Sequence, residues 1–354
     1  MKSMVKDAVK TETKMVGESD ISDFGVPKIM VLGCGGAGCN SISRIAEMGV
    51  SGAQLVAVNT DKQQLAVLSD DIVKILIGKS VTRGLGAGGY PEVGAKAAEV
   101  SKSALEEVLR GVDMLFLTTG LGGGTGTGAS PVVADIAKQQ GAIVISIVTY
   151  PFRMERARIV KAEEGLLKLK QYSDTVVVID NNRLVELVPN LPIQDAFRVA
   201  DEVISRTVSG ITETITQPSL INLDYADVRS IMTNKGLSVI AVGEGKGVDR
   251  VKEVTGDTLK NSLLDVDIAG SNGALIHITG GQDLTLGEAN QIGEILTETL
   301  DPKAVVIWGA RVDPTFDNKI EVIAIFTGVR SPFIKTDDDN RSSSKHDDLD
   351  LDYL

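Results

Sequence analysis

The sequence predicts an α/β fold. A Rossmann-like parallel-sheet domain comes first, then a long central helix, then a second, smaller α/β domain with a mixed sheet. Three observations predict it. Apolar runs alternate with helical patterns from residue 28 to residue 180, which implies a mostly parallel sheet covered on both faces. Glycine-rich turns join several of those strands to the next helix. From Leu191 the pattern becomes one long helical period, and four more apolar runs follow it. With 354 residues and 43% hydrophobic content, the chain can support two domains with a core each. The expected divisions are a flexible arm at 1–26, the sheet domain at 27–190, a linking helix at 191–216, the second domain at 217–330 and an acidic disordered tail at 331–354.

In order, "KIMVLG" (28–33) reads as a buried strand, and Cys39 to Met48 as a helix stopped by Gly49. "AQLVAVN" and "IVKILIG" are the second and third strands. "VGAKAAEVSKSALEEVLRG" reads as one helix ending at Gly111, and "DMLFLT" (113–118) as a strand. "SPVVADIAKQQG" is a helix with Pro131 in its first turn and Gly141 at its stop. "AIVISIVT" and "TVVVID" complete the first sheet. In the long helix, Phe197, Ala200, Ile204, Val208, Ile211 and Ile215 recur at threes and fours. At the α-helical rise it spans roughly 30–35 Å, enough to bridge two domains. "LSVIAVGEG", "GALIHITGG", "AVVIWGARV" and "IEVIAIFTGV" are the strands beyond it, with "TLGEANQIGEILTETL" as a helix among them.

Composition excludes several classes. A net charge of −12 argues against general nucleic-acid binding. Residues 336–354 hold seven Asp against one Arg and one Lys. Cys34 and Cys39 fit neither a disulfide framework nor a CxxC motif, and two His leave no zinc site to expect. No run is long and apolar enough for a membrane span, and charges at Lys2, Lys6, Asp7, Lys10 and Glu12 interrupt any signal-peptide core. The expectation is a cytoplasmic protein.

The chemistry lies in the glycine loops. "GCGGAG" (33–38) follows a strand and opens a helix, matching GxGxxG through Gly33, Gly35 and Gly38, and Asp61 stands where a dinucleotide fold places its ribose acid. Taken alone, this fits an NAD-dependent oxidoreductase as well as other nucleotide binders. A second loop, "GLGGGTGTG" (120–128), also leads from a strand into a helix. A third, "GLGAGGYP" (84–91), stands ready to close over a terminal phosphate. Helix N-termini and glycine backbones favour anions, so several such loops suit a triphosphate better than one pyrophosphate. The P-loop lysine is missing, which leaves phosphate charge to backbone dipoles and a metal ion, Mg²⁺ being expected.

"GGGTGTG" (122–128), with "GCGGAGCN", "AVNTD", "RGLGAGG", "TYPF", "AFRVADEV" and "NLDYADV" in this order, resembles the tubulin/FtsZ superfamily in its FtsZ spelling. The likeness covers residues 27 to 330, and the first loop and tail look archaeal. The resemblance implies a GTP-binding domain, a central helix and a C-terminal GTPase-activating domain. It implies a cytoskeletal GTPase of the cell-division ring, located at midcell, that binds GTP and GDP and partners itself head to tail. Other division proteins and a membrane tether would meet the acidic tail.

The resemblance implies contacts to phosphate and base from the first loop, spanning Gly35, Gly36, Ala37, Gly38, Cys39 and Asn40. It gives the phosphates to Gly123, Gly124, Thr125 and Gly126, with Thr127 beside them, and the γ-phosphate to Ala87, Gly88 and Gly89. It puts Glu155 on the ribose, with Arg158 or Arg156 beside it, and Asn181 on the base. Read from the residues, Phe197 and Asp201 share a helix face; an aromatic can cover a purine, and a carboxylate accepts the two donors of guanine's edge. Each alone also reads as a core aromatic and a solvated acid. Arg158 follows Glu155 by three positions where relatives show four. Cys39 and Tyr90 stand where relatives often have Asn, and Ser219 where they usually have Gly.

"NLDYADV" (222–228) carries Asp224 and Asp227 three apart. Taken alone they read first as a capped helix start. By the rise of the long helix they lie roughly 30 Å from Phe197, too far to reach their own chain's phosphates. The resemblance makes Asn222, Asp224 and Asp227 catalytic on a neighbouring subunit's GTP.

Overall fold

The structure, a computed structural model, describes residues 27–50, 52–216, 225–233, 236–260 and 268–329. Six strands, β1 (Ile29–Cys34), β2 (Ala53–Asn59), β3 (Val73–Leu76), β4 (Met114–Gly120), β5 (Ile143–Tyr150) and β6 (Thr175–Asp180), pair in parallel in the order β3-β2-β1-β4-β5-β6. The order changes direction between β1 and β4. Doubly wound sheets bind ligands beyond the carboxyl ends of their strands at such a point. Every residue of β1 is buried, as a strand covered on both faces requires.

Four strands follow: β7 (Gly236–Lys246), β8 (Gly273–Gly280), β9 (Val305–Val312) and β10 (Lys319–Thr327). β7 joins β6 in parallel along Thr175–Val177, so a single ten-stranded sheet runs through both halves. β10 lies antiparallel between β7 and β8, and β9 is parallel at the edge, giving the mixed sheet that was expected.

The continuous sheet corrects the expectation of one core per domain. The apolar residues form two clusters, one on each face of the sheet and each spanning both halves. On β1, Met30 and Leu32 belong to one cluster and Ile29 and Val31 to the other. On β10, Val322 and Ala324 belong to the first and Ile323 and Ile325 to the second. Strand alternation imposes this division.

The helices are α1 (Gly35–Met48), α2 (Lys62–Ala66), α3 (Lys79–Thr82), α4 (Pro91–Glu99), α5 (Lys102–Val108), α6 (Thr125–Gln139), α7 (Arg156–Tyr172), α8 (Asn181–Leu187), α9 (Ile193–Thr216), α10 (Tyr225–Met232), α11 (Arg250–Lys260) and α12 (Leu286–Thr297). Three differ from the expected pattern. α1 begins at Gly35, inside the glycine loop rather than at Cys39. The helix expected across 93–111 is split, because Ser101 leaves helical geometry and its hydroxyl accepts the Gly78 N–H at 2.9 Å. α6 also begins inside its glycine loop, so Pro131 lies in its interior rather than its first turn.

α9 has 24 residues, about 36 Å of helix. Near its start, Asp201 accepts a hydrogen bond from Ser41 of α1 at 2.6 Å. Further along, Arg206 bonds Glu202, Glu244 of β7 and Glu321 of β10. The helix therefore ties the first half of the sheet to the second.

Candidate functional site

A cleft of about 470 Å³ opens beyond the carboxyl ends of β1, β4, β5 and β6. Its walls come from the three glycine loops, the start of α7, Asn181 and the first turns of α9. The α1 and α6 N-termini receive no side-chain cap. Their first N–H groups are thus available to an anion.

The glycines divide into two kinds. Gly35 (φ 75°) and Gly38 are spacers: a Cβ on Gly35 would stand 2.6 Å from Gly126 N, and one on Gly38 2.5 Å from Thr118 O. Gly35 lets the first two loops touch, and Gly38 lets α1 pack closely on β4. Gly36, Gly123, Gly124 and Gly126 line the cleft. Thr125 Oγ1 meets Thr60 Oγ1 at 2.6 Å, and Thr127 Oγ1 accepts the Gly122 N–H at 2.9 Å, fixing the second loop from below. In the third loop Ala87 and Gly89 face the cleft.

At the other end, Phe197 lies 5.9 Å from Phe152, centroid to centroid, with the rings tilted 58°. Burial pushes the Asp201 carboxyl above its ordinary range, and the Ser41 hydroxyl and the charge of Arg44 partly offset this. Asn181 is 9% exposed, and its Oδ1 has no hydrogen-bond partner among the described residues. A buried acceptor in a cleft wall calls for a ligand donor. Glu155 Oε1 accepts from Arg158 at 2.7 Å, and Oε2 from the Phe152 N–H at 3.1 Å.

The cleft brings together Gly36, Ala37, Asn40, Ala87, Gly89, Gly123, Gly124, Thr125, Gly126, Glu155, Arg158, Asn181, Phe197 and Asp201 of the residues expected there. Gly35, Gly38, Cys39, Gly88 and Thr127 support the walls without lining them. Cys39 is 1% exposed, and burial pushes its thiol up to about 12, so its side chain packs in the core. Arg158 lines the cleft and Arg156 does not. Sequence reasoning missed Ser41, Asn59, Gln64, Thr149 and Phe152. Of these, Thr149 and Phe152, inside "TYPF", and Asn59, inside "AVNTD", carried a signal. Asp61 also lines the cleft; its Oδ1 accepts from the N–H groups of Gln63 and Gln64 and so caps α2.

Asn222 and Asp224 lie outside the described residues. Asp227 sits in the first turn of α10. The Tyr225 hydroxyl donates to Asp113 O at 2.9 Å, and Asp113 immediately precedes β4. α10 thus starts beside the amino ends of the strands, and the loops stand at their carboxyl ends. The length of β4 separates the two by about 20 Å. Among the described residues no group of three or more His, Cys, Asp or Glu could cage a metal ion. Nor is any helix there long and apolar enough to cross a membrane.

Comparison with known proteins agrees with this geometry. Residues 28–189 match the model of the Tubulin/FtsZ family, GTPase domain, and residues 236–330 that of the FtsZ family, C-terminal domain. The chain belongs to the tubulin/FtsZ family. As a member of that family it is a GTPase. It is 57% identical to "Cell division protein FtsZ 2" of Methanocaldococcus jannaschii, over 94% of this chain and 87% of that protein. It is 52% identical to "Cell division protein FtsZ 2" of Halobacterium salinarum, over 94% of this chain and 85% of that protein. The solved structure "FtsZ dimer, empty" of M. jannaschii superposes with a TM-score of 0.80 at 47% identity, covering 92% of each chain. These matches bear out the tubulin/FtsZ resemblance and lend no support to the NAD-dependent oxidoreductase alternative.

Proposed function

We propose that this chain binds GTP in the cleft and hydrolyses it to GDP and phosphate when a second copy closes over the phosphates, within a head-to-tail filament that serves cell division. One observation carries the reading: the glycine loops and Asp227 stand at opposite ends of one sheet. Neither end can complete the other in the same chain, and a second copy stacked end to end supplies what is missing. Such a heterologous contact repeats into a filament. The cell-division names of the relatives, and the solved FtsZ dimer of M. jannaschii, support the same reading.

In this reading Gly36, Ala37, Asn40, Gly123, Gly124, Thr125 and Gly126 receive the phosphates through backbone N–H groups and helix dipoles. Ala87 and Gly89 meet the γ-phosphate, and Gly88 turns the loop between them. Glu155 and Arg158 hold the ribose side, and Phe197 covers the base. Asp201 accepts from guanine N1–H and N2–H₂, a donor pair that adenine lacks. Asn222, Asp224 and Asp227 of the incoming copy orient the attacking water. Mg²⁺, where present, takes its ligands from phosphate oxygens and water, which suits its preference for few protein donors. The acidic tail at 336–354 serves as the contact for division partners and a membrane tether, which places the filament in the cytoplasm at the midcell ring.

The test is GTPase rate against protein concentration, with electron microscopy of the same samples. Specific activity should be near zero when dilute and rise with filament formation. A specific activity independent of concentration would sink the shared site.

A further inference from the structure

The γ-phosphate loop has a built-in restraint that comes from outside the cleft. Gly88 (φ 61°) and Gly89 (φ 79°) are consecutive left-handed residues, and the Tyr90 N–H closes their turn on Ala87 O at 3.1 Å. The loop lies close against the second glycine loop: a Cβ on Gly124 would fall 2.9 Å from Tyr90 N and 3.0 Å from Gly89 N. Two adjacent glycines leave this backbone free to turn. If the Gly89 carbonyl rotated inward, it would set a partial negative charge against a phosphate.

Lys161 holds that carbonyl. It lies on α7, one turn beyond Arg158, and lines a separate groove of about 910 Å³ between α4, α6 and α7. From there its Nζ donates to Gly89 O at 2.7 Å. The same ammonium stands over the Tyr90 ring, 5.5 Å from its centroid. A charge-assisted hydrogen bond and a cation–π contact therefore fix one lysine on one loop.

We propose that Lys161 is a positioning residue that keeps the Gly89 carbonyl out of the cleft, and with Tyr90 sets the preference for the triphosphate over the diphosphate. This rests on the GTP reading of the cleft. Lys161 does not line that cleft, so it acts through the loop alone. The proposal also gives Tyr90 a role, as the ring over which that ammonium stands.

The test measures affinity for a non-hydrolysable GTP analogue and for GDP by titration calorimetry, at protein concentrations below assembly. Lys161→Met should lower the analogue-to-GDP affinity ratio about 3- to 10-fold, with GDP affinity unchanged. Lys161→Arg, which keeps the donor and the stacking cation, should restore the ratio. Tyr90→Ala, a change at a residue 57% exposed, should lower it in the same direction. An unchanged ratio in Lys161→Met, or equal losses for both nucleotides, would overturn the proposal. A wild-type chain that bound neither nucleotide would overturn the GTP reading itself, a distinct result.

Discussion

Asp201 is the residue whose environment and role pull against each other. Burial raises its carboxyl, and binding guanine's two donors requires the ionised form. Nucleotide affinity should therefore weaken on acidification, starting above the ordinary Asp range near 4. Ser41→Ala removes a donor that favours the carboxylate, so it should move the midpoint higher. Asp201→Asn should abolish the dependence and weaken guanine binding roughly 10- to 100-fold, the cost of hydrogen bonds to a charged group. Calorimetry with GDP between pH 4.5 and 7.5, on the wild type and both variants, checks all three expectations. Without nucleotide the sign reverses. A raised acid binds protons more tightly when folded, so ionisation costs the apo chain stability as pH climbs from about 3.9 through the raised value. Asp201 was legible in the sequence by its spacing from Phe197. Ser41 was not, because its partner is 160 residues away and only the packing of α9 on α1 brings them together.

At the scale of elements, close approach decides what the helices tolerate. α4 and α6 meet through glycine: a Cβ on Gly128 would stand 1.8 Å from Pro91 O, and one on Gly94 2.4 Å from Gly124 O. Gly128→Ala must push two backbones apart, and overpacking of this kind costs about 3 kcal/mol. Denaturant unfolding should report that loss, together with weaker GTP binding because α4 and α6 carry the third and second loops. The contact of α9 with the second half of the sheet is looser. A Cβ on Gly210 would meet Ile323 at 3.2 Å and the His277 ring at 3.4 Å. Burial lowers His277 to about 4. A histidine held neutral by the fold contributes stability above its unfolded value of about 6.5, and that stability is lost as pH falls from there to 4. The loss should reach about 3 kcal/mol, and His277→Gln should flatten the curve in thermal melts between pH 4 and 7. Element type was largely legible, since apolar period and glycine turns are local. Where α1 and α6 begin was not: glycine runs look like loops until the two loops they form are packed against each other.

At the scale of the whole molecule, the sequence separates two α/β halves, but nothing local reveals that β7 continues the sheet of β6. Three residue pairs make that join, Thr175 with Gly236 through Val177 with Ser238. The join has a functional consequence, because it makes one continuous sheet with the cleft at one end and the start of α10 at the other. A half-site at each end predicts complementation between two dead proteins. Asp201→Ala should lose the nucleotide and keep the catalytic end. Asp227→Ala should keep the nucleotide and lose the catalytic end. Each alone should hydrolyse GTP at about 1% of the wild-type rate or less, the scale on which positioned acid–base groups act. In a mixed filament, some junctions place the intact Asp227 of an Asp201→Ala subunit over the GTP of an Asp227→Ala subunit. With random mixing of equal amounts, about one junction in four has this arrangement. Co-assembled samples, with filaments verified by electron microscopy, should recover on the order of a quarter of the wild-type rate. Recovery should vanish on dilution below assembly. If the mixture hydrolysed no faster than the sum of its parts while forming filaments, each chain would have to complete its own site, against the distance that the sheet sets between the two ends.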